Sequence, residues 1–278
     1  MAKRVRYDEI GYWSEVKLDI VKKYASAYST IMARQASIKR HTYIDAFAGA
    51  GQHISKATGD LVPGSRLNAL GITPPFTELH FIDLDGRRAK ELRKLTAGDK
   101  KVKVHDGDCN EILLRDVFPR CQYSDYSRAL CLLDPYKLNV NWEVLQTAGA
   151  MKSVEVFYNF MIMDANMNVF WRDRSKVTSA QAARMTGVWG DGSWPSAAYQ
   201  KKRDLFGDLE EKAPNEDIAL AFRDPPKTVA GFKYVPDPIP MRNSRGAVVY
   251  YLFFASPNET GGRIVQEIFD KYRSKGVR

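Results

Sequence analysis

Cysteine is scarce in this chain of 278 residues: the three, Cys109, Cys121 and Cys131, are too few and too irregularly spaced for a disulfide framework or a four-thiolate zinc site. Each is expected to be a small buried side chain. No apolar run reaches the ~18 residues of a membrane-spanning helix. The opening MAKRVRYDEIGYW lacks the apolar core of a secretory signal, which makes the cytoplasm the expected compartment. Internal repeats and low-complexity tracts are also missing, so repeat architectures are excluded. Net charge is missing from the middle of the chain. Residues 1–41 carry nine basic and four acidic side chains, residues 231–278 carry eight and four, and the stretch between is balanced. The formal excess of +9 therefore lies at the two ends, where it suits either a polyanion partner or an ordinary solvated surface.

What is present is an alternation. Trp13, Val16, Ile20, Tyr24 and Ala27 have helical spacing and predict a helix from Gly11 to about Ala36, with Lys17, Lys22 and Lys23 between the apolar positions. The short apolar runs Thr42–Phe47, Thr77–Asp83, Val102–Asp106, Ala129–Asp134 and Val154–Phe160 read as buried strands. Helical stretches separate them at Ser65–Leu70, Gly86–Thr96, Asn110–Phe118 and Trp142–Ala148, and residues 52–64 read as a loop. Strands alternating with helices at this spacing argue for crossover units and a parallel sheet. Residues 165–228 break the rhythm and read as a mostly helical insertion, a substrate or partner lobe. Gly231–Met241 and Ala247–Ser256, joined by a turn at Asn243–Gly246, predict a hairpin, and Asn258–Tyr272 a last helix. The expected units are an N-terminal helical segment at 1–41, a Rossmann-like core at 42–164, the insertion at 165–228 and a completing hairpin and helix at 229–278.

Four motifs carry chemistry. In YIDAFAGAGQH, Asp45, Phe47, Gly49 and Gly51 are spaced as in motif I of methyltransferases, with glycines where a strand turns tightly beside a ligand. The third glycine of the dinucleotide pattern is missing, which disfavours a dehydrogenase on the same sheet. In FIDLD, Asp83 ends the second strand, where a carboxylate accepts hydrogen bonds from a ribose diol; Asp85 reads as the cap of the following helix. Asp108 either receives an adenine amino group or caps the helix near Asn110. LLDPYKL resembles a shortened form of the [DNS]-P-P-[YFW] motif of amino-group methyltransferases. That resemblance makes Asp134, Pro135 and Tyr136 the candidate catalytic residues, holding a target nitrogen in line with a methyl group.

Together, residues 13–28, 43–51, 81–85, 132–138 and 157–168 resemble the three-Cys-motif partner proteins, a methyltransferase-like group named for pairing with a radical-SAM-type protein that bears three cysteines. The resemblance implies a class I S-adenosylmethionine-dependent methyltransferase fold: α/β and Rossmann-like, with a mostly parallel seven-stranded sheet ending in an antiparallel hairpin. It also implies S-adenosyl-L-methionine as cofactor and that partner protein. A nucleobase in DNA or RNA is the expected substrate, and Trp171, Arg172, Arg174 and Lys176 are candidates to grip it. A small-molecule acceptor and a non-catalytic, substrate-presenting subunit are the competing expectations. Asn159 ends the fifth strand and is expected to pack there rather than touch substrate.

Overall fold

The computed structural model describes residues 8–49, 52–204 and 207–274, with the backbone alone at Asp8, 202–204 and 207–209. Seven strands form the central sheet: β1 (Arg40–Asp45), β2 (Glu78–Asp83), β3 (Val102–Asp106), β4 (Ser127–Leu133), β5 (Val154–Phe160), β6 (Ile239–Arg242) and β7 (Val248–Ala255). Their spatial order is 6-7-5-4-1-2-3. Strands β1 to β5 pair in parallel, and β7 runs antiparallel to both β5 and β6. This is the Rossmann-like sheet of class I methyltransferases.

The strands read as unbroken apolar runs because both faces are covered. Along β1, Tyr43 enters the cluster beneath helix α1 (Tyr12–Arg34), together with Ile20, Tyr24, Phe157 and Phe254. The next residue, Ile44, enters the opposite cluster with Leu133, Val156 and Phe222. Period-two alternation thus feeds two cores. Helices α2 (Ser65–Leu70), α3 (Gly86–Leu95) and α10 (Glu259–Ser274) join α1 on the first face. Helices α4 (Cys109–Ile112), α5 (Trp142–Met151), α6 (Ile162–Asn168), α7 (Ser179–Trp189), α8 (Trp194–Ala198) and α9 (Asn215–Thr228) cover the second. All three cysteines are buried and free.

Several boundaries differ from expectation for identifiable reasons. β1 stops at Asp45, not Phe47, because the Asp45 carboxylate accepts the Phe47 N–H at 3.1 Å and turns the chain. Helix α5 runs past Ala148 through Gly149, where a Cβ would stand 2.1 Å from the Ala230 carbonyl oxygen; glycine is the residue that lets that loop dock. The predicted strand from Gly231 shrinks to Ile239–Arg242, since Pro236 and Pro238 donate nothing to a ladder. Residues 52–64 are not simply a loop. Gln52–Ser55 and Leu61–Pro63 pair antiparallel, and Asp8–Ile10 adds a parallel strand; elements this short show no period in sequence.

The stretch 165–228 is helical with one unexpected hairpin, Tyr199–Asp204 against Gly207–Lys212. Its apolar residues enter the common core: Phe222 stacks on Phe160 at 4.5 Å between ring centroids, and Met185, Trp189 and Trp194 are buried with them. No described helix is long and apolar enough to cross a membrane.

Candidate active site

The topology places the site before any side chain is considered. β1 lies between β4 and β2, so the chain leaves it in opposite directions, and ligands of open α/β sheets bind beyond the carboxyl ends at such a switch point. Four neighbouring strands deliver an aspartate to that edge. Asp45, Asp83 and Asp106 end β1, β2 and β3, and Asp134 directly follows β4.

Asp45 is fully buried; its carboxylate accepts the Ser65 hydroxyl as well as the Phe47 N–H. Burial pushes its pKa up to about 6 despite those bonds. Phe47 is half-buried against the core. Gly49 has φ +56°, a left-handed conformation that costs a side chain energy, and only the Phe47 carbonyl oxygen, at 3.8 Å, would meet a Cβ there. The Gly49 N–H donates to one Asp83 oxygen at 3.0 Å, and the Asp85 N–H donates to the other at 2.8 Å. Asp83 therefore ties the end of β2 to the glycine turn, and each oxygen keeps a lone pair for a further donor. Gly51 lies outside the described residues. Asp85 caps α3 through the Arg87 N–H. Asp108, exposed, caps α4 through the Asn110 N–H at 2.7 Å. Asn110 in turn donates to the Asn139 carbonyl oxygen at 2.9 Å, linking this turn to the loop after β4.

Three segments converge at Asp134. Lys17 of α1 donates to one carboxylate oxygen, and the side-chain amide of Asn159, on β5, donates to the other. Lys17 is buried, with its ammonium 5.7 Å from the Tyr250 ring centroid. Burial opposes its charge, but the Asp134 carboxylate outweighs burial and holds Lys17 well above its ordinary value. Asp134 keeps 27% of its side chain exposed. Pro135 is buried and Tyr136 projects outward, 70% exposed. The loop is pinned from α6: Asp164 accepts the Leu138 N–H at 3.0 Å and pairs with Arg184 at 3.1 Å. Tyr136 forms one wall of an open cleft of about 540 Å³, which Glu9, Gly11, Ser14, His53 and Arg88 also line.

The sequence reading missed Lys17 and Asp164. A signal existed for Lys17: it stands three and seven residues before Ile20 and Tyr24, inside the apolar stripe rather than between its members. Asn159, expected to pack, does so and also holds Asp134. Of the insertion residues expected to grip nucleic acid, Trp171, Arg174 and Lys176 each have a local partner. The Trp171 indole N–H donates to the Met167 carbonyl oxygen at 2.8 Å, Arg174 pairs with Glu210 at 2.9 Å, and Lys176 lies 3.7 Å from Asp173.

No family model and no curated protein matches the chain. Among solved structures, it resembles a Legionella pneumophila protein of family DUF519 (TM-score 0.49, 10% identity, covering 92% of this chain and 91% of that one). A provisionally assigned S-adenosylmethionine-dependent methyltransferase from Listeria monocytogenes gives a TM-score of 0.41 at 10% identity, covering 84% and 99%. The 23S rRNA methyltransferase ErmE gives 0.36 at 11% identity, covering 90% and 75%. Likenesses this distant add no weight, and the fold rests on strand order and direction: the chain has a class I methyltransferase-type fold.

Proposed function

We propose that this chain is an S-adenosylmethionine-dependent methyltransferase acting on an amino nitrogen of a nucleobase in DNA or RNA. The observation that carries the reading is the row of carboxylates at the switch point, one of which, Asp83, is bonded to a left-handed glycine turn. The donor set fits the cofactor. Its sulfonium supplies an electrophilic methyl group and a positive charge, and anionic side chains line that edge of the sheet. Gly49 opens room at the turn, and Asp83 has free lone pairs for a ribose diol.

On the acceptor side, Lys17 and Asn159 hold Asp134 in one orientation with a lone pair left on each oxygen. A target N–H donating there is fixed in direction, and positioning supplies most of the catalysis available to an in-line displacement. Tyr136, exposed two residues on, offers a ring on which a base stacks, worth about 1–3 kcal/mol. A base within a duplex has to be flipped out to reach it. The partner in this reading is a radical-SAM-type protein that carries the three-cysteine motif. The buried, dispersed cysteines of this chain leave cluster chemistry to such a partner.

Methyl transfer tests the reading. The intact protein, with methyl-labelled S-adenosylmethionine and total nucleic acid, is expected to label the nucleic acid. Asp134→Ala is expected to lower the rate about 100-fold while leaving cofactor affinity within a few-fold. Equal labelling by wild type and Asp134→Ala contradicts the assigned role. No labelling of any acceptor, with cofactor binding intact, favours a non-catalytic subunit that presents substrate to its partner.

A further inference from the structure

At the amino-terminal end of the same strands, the loops enclose a second cavity of about 330 Å³, within the range of small-molecule sites. It lies one strand length, about 20 Å, from the candidate active site. Three cations line it: Arg128 at the start of β4, Lys152 at the end of α5, and Lys233 in the loop before β6. None of the three forms an ion pair with an acidic side chain among the described residues. Arg128 is held in place, its guanidinium centre 3.8 Å from the Tyr123 ring centroid and one N–H donating to the Ser127 carbonyl oxygen at 2.7 Å.

One further feature points to an anion. Asn258, on the cavity wall, caps the first turn of the 16-residue helix α10 through the Thr260 N–H at 2.8 Å, so the amino-terminal, positive end of that helix begins at the cavity wall. Tyr28, only 4% exposed, also lines the cavity. The carboxyl group lining the cavity, Glu155, is otherwise engaged: its oxygens accept the Tyr24 hydroxyl at 2.5 Å and the Ser256 hydroxyl at 2.8 Å. Cations therefore dominate the open wall. The volume exceeds a bare phosphate, and Met32, Pro257 and the Tyr123 ring supply apolar surface for the remainder of a ligand.

The geometry points to this cavity as a binding site for a phosphate ester of mononucleotide size, with Arg128, Lys152 and Lys233 on the phosphate. A free nucleotide and the 5′ end of a nucleic acid share this chemistry. Calorimetry on the intact protein with adenosine 5′-monophosphate, adenosine and a 5′-phosphorylated oligothymidylate separates them. The monophosphate is expected to bind and adenosine not. Lys152→Gln with Lys233→Gln, both exposed positions, is expected to weaken binding about tenfold or more. Saturating S-adenosylhomocysteine is expected to leave it unchanged. Tighter binding of the oligonucleotide identifies a nucleic-acid end, and equal or weaker binding a free nucleotide. Absence of monophosphate binding at millimolar concentration, an unchanged affinity in the double variant, or displacement by S-adenosylhomocysteine would each overturn the assignment.

Discussion

Lys17→Met is expected to destabilise the protein by about 3 kcal/mol, the low end for breaking a buried ion pair, because Asp134 stays partly hydrated. Methionine keeps the length and apolar stem of lysine, so the loss isolates the charge. With the ammonium gone, Asp134 keeps the Asn159 amide as its side-chain donor and lies near the buried Asp45, whose negative charge raises the cost of its own. Removing both charges, with Lys17→Met and Asp134→Asn together, is expected to cost clearly less than the sum of the single changes. Urea denaturation of the three variants measures this. Additive losses would mean that Lys17 and Asp134 do not act as a pair, and α1 would lose its assigned role in orienting the acceptor side. The single variant is also expected to lose methyl transfer, since a free Asp134 side chain no longer fixes the target nitrogen.

The second large effect is expected at Asp83. Alanine there removes the acceptor of the Gly49 and Asp85 N–H groups and the acceptor proposed for the ribose hydroxyls. Two hydrogen bonds to a charged group amount to roughly 3 kcal/mol or more, which corresponds to about a 100-fold loss of affinity for S-adenosylhomocysteine. Asp83→Asn keeps one carbonyl acceptor for the glycine turn and is expected to fall between the two. An affinity unchanged in Asp83→Ala would place the cofactor elsewhere.

Much of this was legible because the relevant chemistry is local. A strand buried on both faces appears as an apolar run, and a turn glycine or a strand-end aspartate interrupts it visibly, as at Asp45, Gly49 and Asp83. The repeated pattern of an apolar run closed by aspartate in TYID, HFID, VKVHD and LLD outlines four of the five parallel strands at the carboxyl edge. Contacts across large sequence separations were not legible. Lys17 meets Asp134 across 117 positions, and Asp164 reaches Leu138 from a helix that packing, not spacing, brings near. The hairpin at 199–212 was hidden for another reason: its polar strands carry no alternation of apolar residues to announce a sheet. Asp108 shows the remaining ambiguity, since a carboxylate ahead of a helix serves as a cap whether or not a ligand also uses it.

The central claim is that the switch-point edge holds S-adenosylmethionine, and calorimetric titration of the wild-type protein tests it most directly. S-adenosylmethionine and S-adenosylhomocysteine are expected to bind at micromolar concentration with one site per chain, and NAD is expected not to bind. Absence of binding by either sulfur compound, or preference for NAD, would contradict the account.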